Sequence, residues 1–208
     1  MVFTKSRFAS FEDYLALDPS ELPEGRFEYL DGELVPVMSE SGVNDFLANY
    51  LFSLFMTAGV PIELIRPHSC EVEVPGRPRT RYPDLTVLDP IHLPLIERRN
   101  TITRDMPPPR VIAEVVSPGS ESSENYRRDY EMKPRQYATI GVPEYWILDR
   151  GRQWIKVGVL NNGSYQFETF CGNETIVSPT FPDLVFTAEQ ILNAGRSSKS
   201  SPQSPGQN

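Results

Sequence analysis

Two acids stand where acids are costly. Glu114 is the one charged residue in the apolar run Val111-Ile112-Ala113-Glu114-Val115-Val116, and Asp84 opens a second run, Asp84-Leu85-Thr86-Val87-Leu88, directly after Pro83. An ionisable group in a buried strand is unfavourable unless it is paired or binds a metal. Period-two alternation places Asp84, Thr86 and Leu88 on one strand face, and Ile112, Glu114 and Val116 on another. If these strands pair, the two acids converge. Two carboxylates with a backbone carbonyl and waters form an oxygen-ligand site suited to Mg²⁺ or Mn²⁺. The spacing equally admits two unrelated acids, Asp84 ending a strand and Glu114 paired to an arginine.

A lysine completes the candidate group. With Ser123 to Thr139 helical, Asp129, Lys133 and Tyr137 fall at i, i+4 and i+8 and form one stripe. Lys133 can then lean toward Glu114 and bring the positive charge that phosphoryl chemistry needs. The plainer alternative is an exposed Asp129–Lys133 ion pair worth about 0.3–0.5 kcal/mol. Pro134 predicts a kink or a restart in this helix, because an interior proline loses a hydrogen bond and crowds the carbonyl four residues back.

The elements that must hold these residues are readable in outline. Ser10 caps a short helix to Leu17, and Asp31-Gly32 joins strands Arg26–Leu30 and Glu33–Met38 as a hairpin. Val43, Phe46, Leu47, Tyr50, Leu51, Leu54 and Phe55 recur at helical spacing and predict a core helix that Gly59 and Pro61 end. Short strands are expected at Ile62–Ile65 and Cys70–Val74, and a long surface loop from Ile91 to Pro109. Glu144–Asp149 is a further apolar strand. Gln153–Leu160 and Ser164–Phe170 form a second hairpin about Asn161-Asn162-Gly163, and Thr187 caps a closing helix to Leu192. Residues 1–194 read as one domain. Residues 195–208, rich in Ser, Pro and Gly, read as a disordered tail.

Composition excludes several classes. The chain has 208 residues, 39% of them hydrophobic, and a net charge of -8, which argues against a cationic protein that coats nucleic acid. No run approaches the ~20 apolar residues of a membrane helix. The N-terminus lacks the apolar stretch of a secretory signal. Two cysteines, Cys70 and Cys171, are too few for a disulfide framework, so a reducing cytoplasm is expected. His68 and His92 have no partner at ligand spacing and are not expected to bind metal. Trp146 and Trp154 are expected in the core.

Several segments carry a resemblance. Pro83-Asp84, Glu114-Val115-Val116-Ser117-Pro118, Arg128-Asp129-Tyr130 with Lys133 and Tyr137, and Gly141-Val142-Pro143-Glu144-Tyr145-Trp146-Ile147-Leu148-Asp149 resemble the Uma-type endonuclease family. Arg26-Phe27-Glu28-Tyr29-Leu30-Asp31-Gly32-Glu33 fits its N-terminal pattern, so the likeness runs from about Phe11 to Leu192. That family is similar to the restriction-endonuclease-like, or PD-(D/E)XK, superfamily. The resemblance implies an α/β (α+β) fold, a mixed β-sheet flanked by helices with N- and C-terminal β-hairpins, and a metal-dependent phosphodiesterase site acting on nucleic acid, with DNA the expected substrate. Asp84 and Glu114 take the metal-ligand positions, with Mg²⁺ or Mn²⁺ as cofactor. Val116 occupies the usual lysine position, which points to Lys133 as its replacement, and Glu28 resembles an additional acid near the metal. Arg77, Arg79, Arg81 and Arg128 are candidate phosphate contacts. A homodimer is expected by analogy with superfamily members that cut two strands. The alternative reading, suggested by Val116 and the net acidity, is a nuclease fold kept as a non-catalytic binding or regulatory module.

Overall fold

A computed structural model describes residues 7–37 and 41–195. The expected strand end at Met38 and the expected tail beyond Gly195 lie outside these residues. In chain order the elements are α1 (Phe11–Ala16), β1 (Phe27–Leu30), β2 (Glu33–Pro36), α2 (Gly42–Thr57), β3 (Ile65–Pro67), β4 (Glu71–Glu73), β5 (Thr80–Arg81) and β6 (Leu85–Val87). They continue with α3 (His92–Leu95), β7 (Thr101–Ile102), β8 (Val111–Val115), α4 (Glu124–Arg127), α5 (Lys133–Thr139), β9 (Glu144–Asp149), β10 (Trp154–Asn161), β11 (Ser164–Cys171) and α6 (Ala188–Leu192).

The central sheet has six strands in the order β11-β10-β9-β8-β6-β3. All its neighbours are antiparallel except β8 and β9. A parallel pair cannot be joined by a tight turn and needs a long crossover. Here α4 and α5 form that crossover, so the helical segment that follows Glu114 must return across the sheet. Phe55 of α2 packs on Trp146, whereas Tyr137 of α5 packs on Tyr145. Adjacent strand residues point to opposite faces, so α2 and α5 cover opposite sides. The central strands β8 and β9 are buried along their whole length. Their β-branched and aromatic residues form the middle of one large apolar cluster.

Two hairpins were expected and both form. Asp31 and Gly32 have φ of 51° and 85°, and Asn162 and Gly163 have 49° and 81°. Two positive φ values in a two-residue loop suit the right-handed twist of the strands, and Gly takes the second place without steric cost. Ser10 and Thr187 cap α1 and α6 as expected.

Three expectations are corrected. Ile62–Leu64 is a 3₁₀ turn rather than a strand, with Leu64 N–H donating to the Pro61 carbonyl; the strand begins at Ile65. The Ile91–Pro109 segment is no open loop. It contains α3 and β7, and the fully buried His92 ring bonds the Asp89 backbone and the Pro107 carbonyl. Val43 and Phe46 lie outside the buried side of α2, which instead consists of Asn44, Leu47, Ala48, Leu51, Leu54 and Phe55. Asn44 turns inward toward the Val115 carbonyl, and Phe46 stacks on Tyr50 at the helix surface.

Candidate active site

Register brings the two acids together. β6 and β8 pair antiparallel with Leu85 opposite Ala113, so Asp84 and Glu114 occupy the next rung. Asp84 Oδ2 accepts from the Val115 N–H at 2.6 Å, which anchors the carboxylate to the strand that carries Glu114. Both acids are buried, Asp84 at 4% and Glu114 at 1% exposure.

The crossover then delivers the lysine. Lys133 Nζ donates to Glu114 Oε2 at 2.7 Å, and Tyr137 OH donates to Glu114 Oε1 at 2.6 Å. Asp129 Oδ1 lies 3.3 Å from Lys133 Nζ. The predicted stripe is real, although it is not on a regular α-helix. Arg128–Met132 forms a π-helical turn in which Lys133 N–H donates to the Arg128 carbonyl, five residues back. Pro134 explains it. Pro134 has no N–H to give and its ring crowds the carbonyl four residues earlier, so the ladder shifts by one residue just before it. Single π turns of this kind are frequent at functional sites.

The charges are arranged around a shortage of cations. Burial pushes the Glu114 carboxyl up to about 7, and neighbouring Asp84 pushes the same way against the pull of Lys133. Burial alone would lower Lys133, but the carboxylates of Glu114, Asp129 and Asp84 outweigh it and hold the ammonium above its ordinary range. Asp129 shows the same contest with the opposite sign: burial raises it, and Lys133 and Arg128 bring it below its usual value. Lys133 therefore keeps the proton, while Glu114 remains poorly compensated because Asp84 sits beside it.

Asp84, Val115, Arg128 and Lys133 line a cavity of about 320 Å³ together with Glu28 and Tyr82, among others, whereas Glu114, 1% exposed, does not itself line it. Does it suit a divalent cation? Among the described residues, no group of three or more His, Cys, Asp or Glu side chains gathers at metal-binding spacing. The donor set is two carboxylates, plus the Val115 carbonyl, which accepts from Asn44 Nδ2 at a long 3.5 Å. An all-protein cage is thus absent, but Mg²⁺ commonly uses one or two carboxylates and fills its shell with water and substrate phosphate. The hard oxygen donors and the excess negative charge fit such an ion.

The remaining predicted residues fall differently. Glu28 lines the same cavity, yet its carboxylate accepts from Arg81 Nη1 at 3.0 Å. Arg81 is 3% exposed and also donates to Gln136 Oε1. Arg79 bonds Glu73 and lies 4.0 Å over the Phe11 ring; Arg77 pairs with Asp31 at 2.6 Å. Of the four arginines, Arg128 alone lines the cavity. It bonds Asp129 and Ser117 Oγ and keeps about a third of its side chain exposed.

His68 has partners that the sequence did not reveal. Its ring lies 3.5 Å from Asp84 Oδ1 and 3.6 Å from Asp45 Oδ1. The His68 backbone N–H donates to the Asp84 backbone carbonyl, and the residue's φ is 50°. The β3–β6 pairing, with Pro67 opposite Leu85, creates this contact. No local spacing encodes it.

Comparison with known proteins gives the family and the fold. Residues 11–189 match the Uma2 family, described as putative restriction endonucleases. No curated protein matches the chain. Among solved structures, a putative nuclease of the DUF820 group from Anabaena variabilis ATCC 29413 superposes with a TM-score of 0.62 at 16% identity, over 88% of this chain and 97% of that one. At that identity the likeness speaks for the fold.

Proposed function

Because this chain belongs to the Uma2 family of putative restriction endonucleases, we propose that it is a divalent-metal-dependent nuclease that hydrolyses phosphodiester bonds, with DNA as its substrate. The observation that carries this is Lys133 Nζ at 2.7 Å from Glu114, beside Asp84 and on the border of an open cavity. A catalytic lysine supplied by the crossover also answers the vacancy at Val116, and with it the main reason to read the chain as a non-catalytic module.

The residues divide the work. Asp84 and Glu114 would hold the cation, which when bound supplies Lewis-acid polarisation of the phosphate and a more acidic attacking water. Lys133 faces the phosphoryl oxygens with a full positive charge, where negative charge grows in the transition state. Asp129 holds the ammonium in place, and Tyr137 fixes the orientation of Glu114. Arg128 meets a neighbouring phosphate. The acids that occupy Arg77, Arg79 and Arg81 make these weaker candidates for that role.

Supercoiled plasmid and short single- and double-stranded oligonucleotides, incubated with Mg²⁺ or Mn²⁺, test the proposal. We expect nicking that EDTA abolishes and that falls by about 10²-fold or more in Asp84→Asn and Glu114→Gln. Cleavage undiminished in both variants overturns it.

A further inference from the structure

We infer that the strand of nucleic acid leaving the scissile phosphate runs single-stranded through a second groove, past the Asp149–Arg152 turn; this rests on the nuclease reading above. The groove, of about 980 Å³, begins where the catalytic cavity ends, and Ser41, Asn44, Ser117 and Pro118 line both. Its far side carries Arg150 and Arg152, and Val43 and Val116 give it apolar surface.

Three features fit a nucleotide strand. The first is continuity, since a chain cut at Asp84 and Glu114 must leave the cavity by a route joined to it. The second is chemistry. Arg152 carries its guanidinium 5.2 Å over the Tyr126 ring and 5.7 Å over Tyr130, which packs on Trp154, and Lys156 Nζ lies 4.7 Å over Trp154. Beyond the groove, cations and aromatic rings thus alternate on one half-buried surface. Phosphates and flat bases are the partners such a surface suits, as in proteins that track single strands. The third is size. A space of this order takes a drug-sized solute, which is the size of a few nucleotides of one strand. Asp149 lines the groove as well and accepts from Arg152 at 2.8 Å, so two guanidiniums, Arg150 and Arg152, face one carboxylate there, a local positive excess in a chain of net charge -8.

Val43 also gains a reason. It is 45% exposed at the start of α2 and lines this groove, so its apolar surface is available to bases. Glutamate there suits a helix N-terminus and should leave the fold intact.

Fluorescence anisotropy with labelled single-stranded DNA and RNA, in EDTA so that no cleavage occurs, provides the test. We expect Val43→Glu to weaken binding several-fold. Arg152→Gln should also weaken it and reduce the slope of log affinity against log salt by about 0.7. Ile62→Glu, in the 3₁₀ turn that follows the far end of α2 and 57% exposed, should bind as the unaltered protein does. The inference is overturned if Val43→Glu binds normally, if the unaltered protein binds no single strand, or if polyglutamate competes as well as the oligonucleotide. The two readings fail separately. Normal binding by Val43→Glu with cleavage lost in Glu114→Gln removes the groove alone; weakened binding with cleavage intact in Glu114→Gln removes the catalytic assignment alone.

Discussion

Lys133 stays charged because Glu114, Asp129 and Asp84 surround it, and that makes Asp129 a residue whose effect depends on pH. Its pKa is held below the ordinary aspartate value of 3.8. A carboxyl with a depressed folded-state pKa stabilises the protein above its unfolded value, and the contribution is lost as pH falls through the folded one. Asp129→Asn should therefore lower stability at neutral pH by about 1.5–3 kcal/mol, the size of a hydrogen bond to a charged group. Thermal melts should show the gap narrowing as pH falls from about 4 through the depressed folded-state value; a gap that does not narrow on acidification contradicts this. Cys70 offers a second residue-scale check. Burial pushes its thiol up to about 12, whereas Cys171 is exposed. A thiol reagent at pH 8 should label Cys171 alone until the chain is unfolded. Glu114 was legible from the sequence because a lone charge in an apolar run has few explanations, and Lys133 because it shares an i, i+4, i+8 stripe with Asp129 and Tyr137. His68 was not, since its nearness to Asp84 follows from strand pairing rather than from local spacing.

At the scale of elements, Pro134 sets the phase of the crossover. Replacing it with Ala restores an N–H that can reach the Tyr130 carbonyl, and the π turn at Arg128–Met132 should relax to α. Residues before the turn would then rotate relative to Lys133. Pro134→Ala is expected to remain folded while losing about 10²-fold in cleavage rate, as small misplacements of catalytic groups do; unaltered cleavage contradicts the positioning role of the turn. The sequence predicted a disturbance at Pro134 but not its form, which depends on how the helix is held against the sheet. Both hairpins were readable because Asp31-Gly32 and Asn162-Gly163 carry their conformation in their own chemistry. The 91–109 segment was misread for the converse reason. β7 has two residues and exists through its parallel pairing with β4, and the buried His92 is satisfied by Pro107, fifteen residues away.

Across the whole molecule, polar ties join the N-terminal layer to the rest. Phe11, Tyr14 and Tyr29 form a separate small cluster, and Tyr14 OH donates to the buried Glu71 at 2.6 Å, which also accepts from Arg99 and Thr101. Tyr14→Phe should cost about 1–3 kcal/mol, seen in denaturant unfolding as a lower midpoint. If residues 1–194 form one domain, as we propose, that loss appears within a single cooperative transition; two separated transitions would divide the N-terminal layer from the sheet. Net acidity argues against a protein that coats nucleic acid, not against one that meets it at a local site. The charge that matters is local, and Glu114 lacks enough of it. The proposal rests on that shortage: Asp84 and Glu114 would together hold a divalent cation. Calorimetric titration with Mn²⁺ tests it most directly. One ion should bind per chain to the unaltered protein, and Asp84→Asn and Glu114→Gln should each weaken that binding by about 10-fold or more; a folded double variant that binds Mn²⁺ as tightly as the unaltered chain would contradict it.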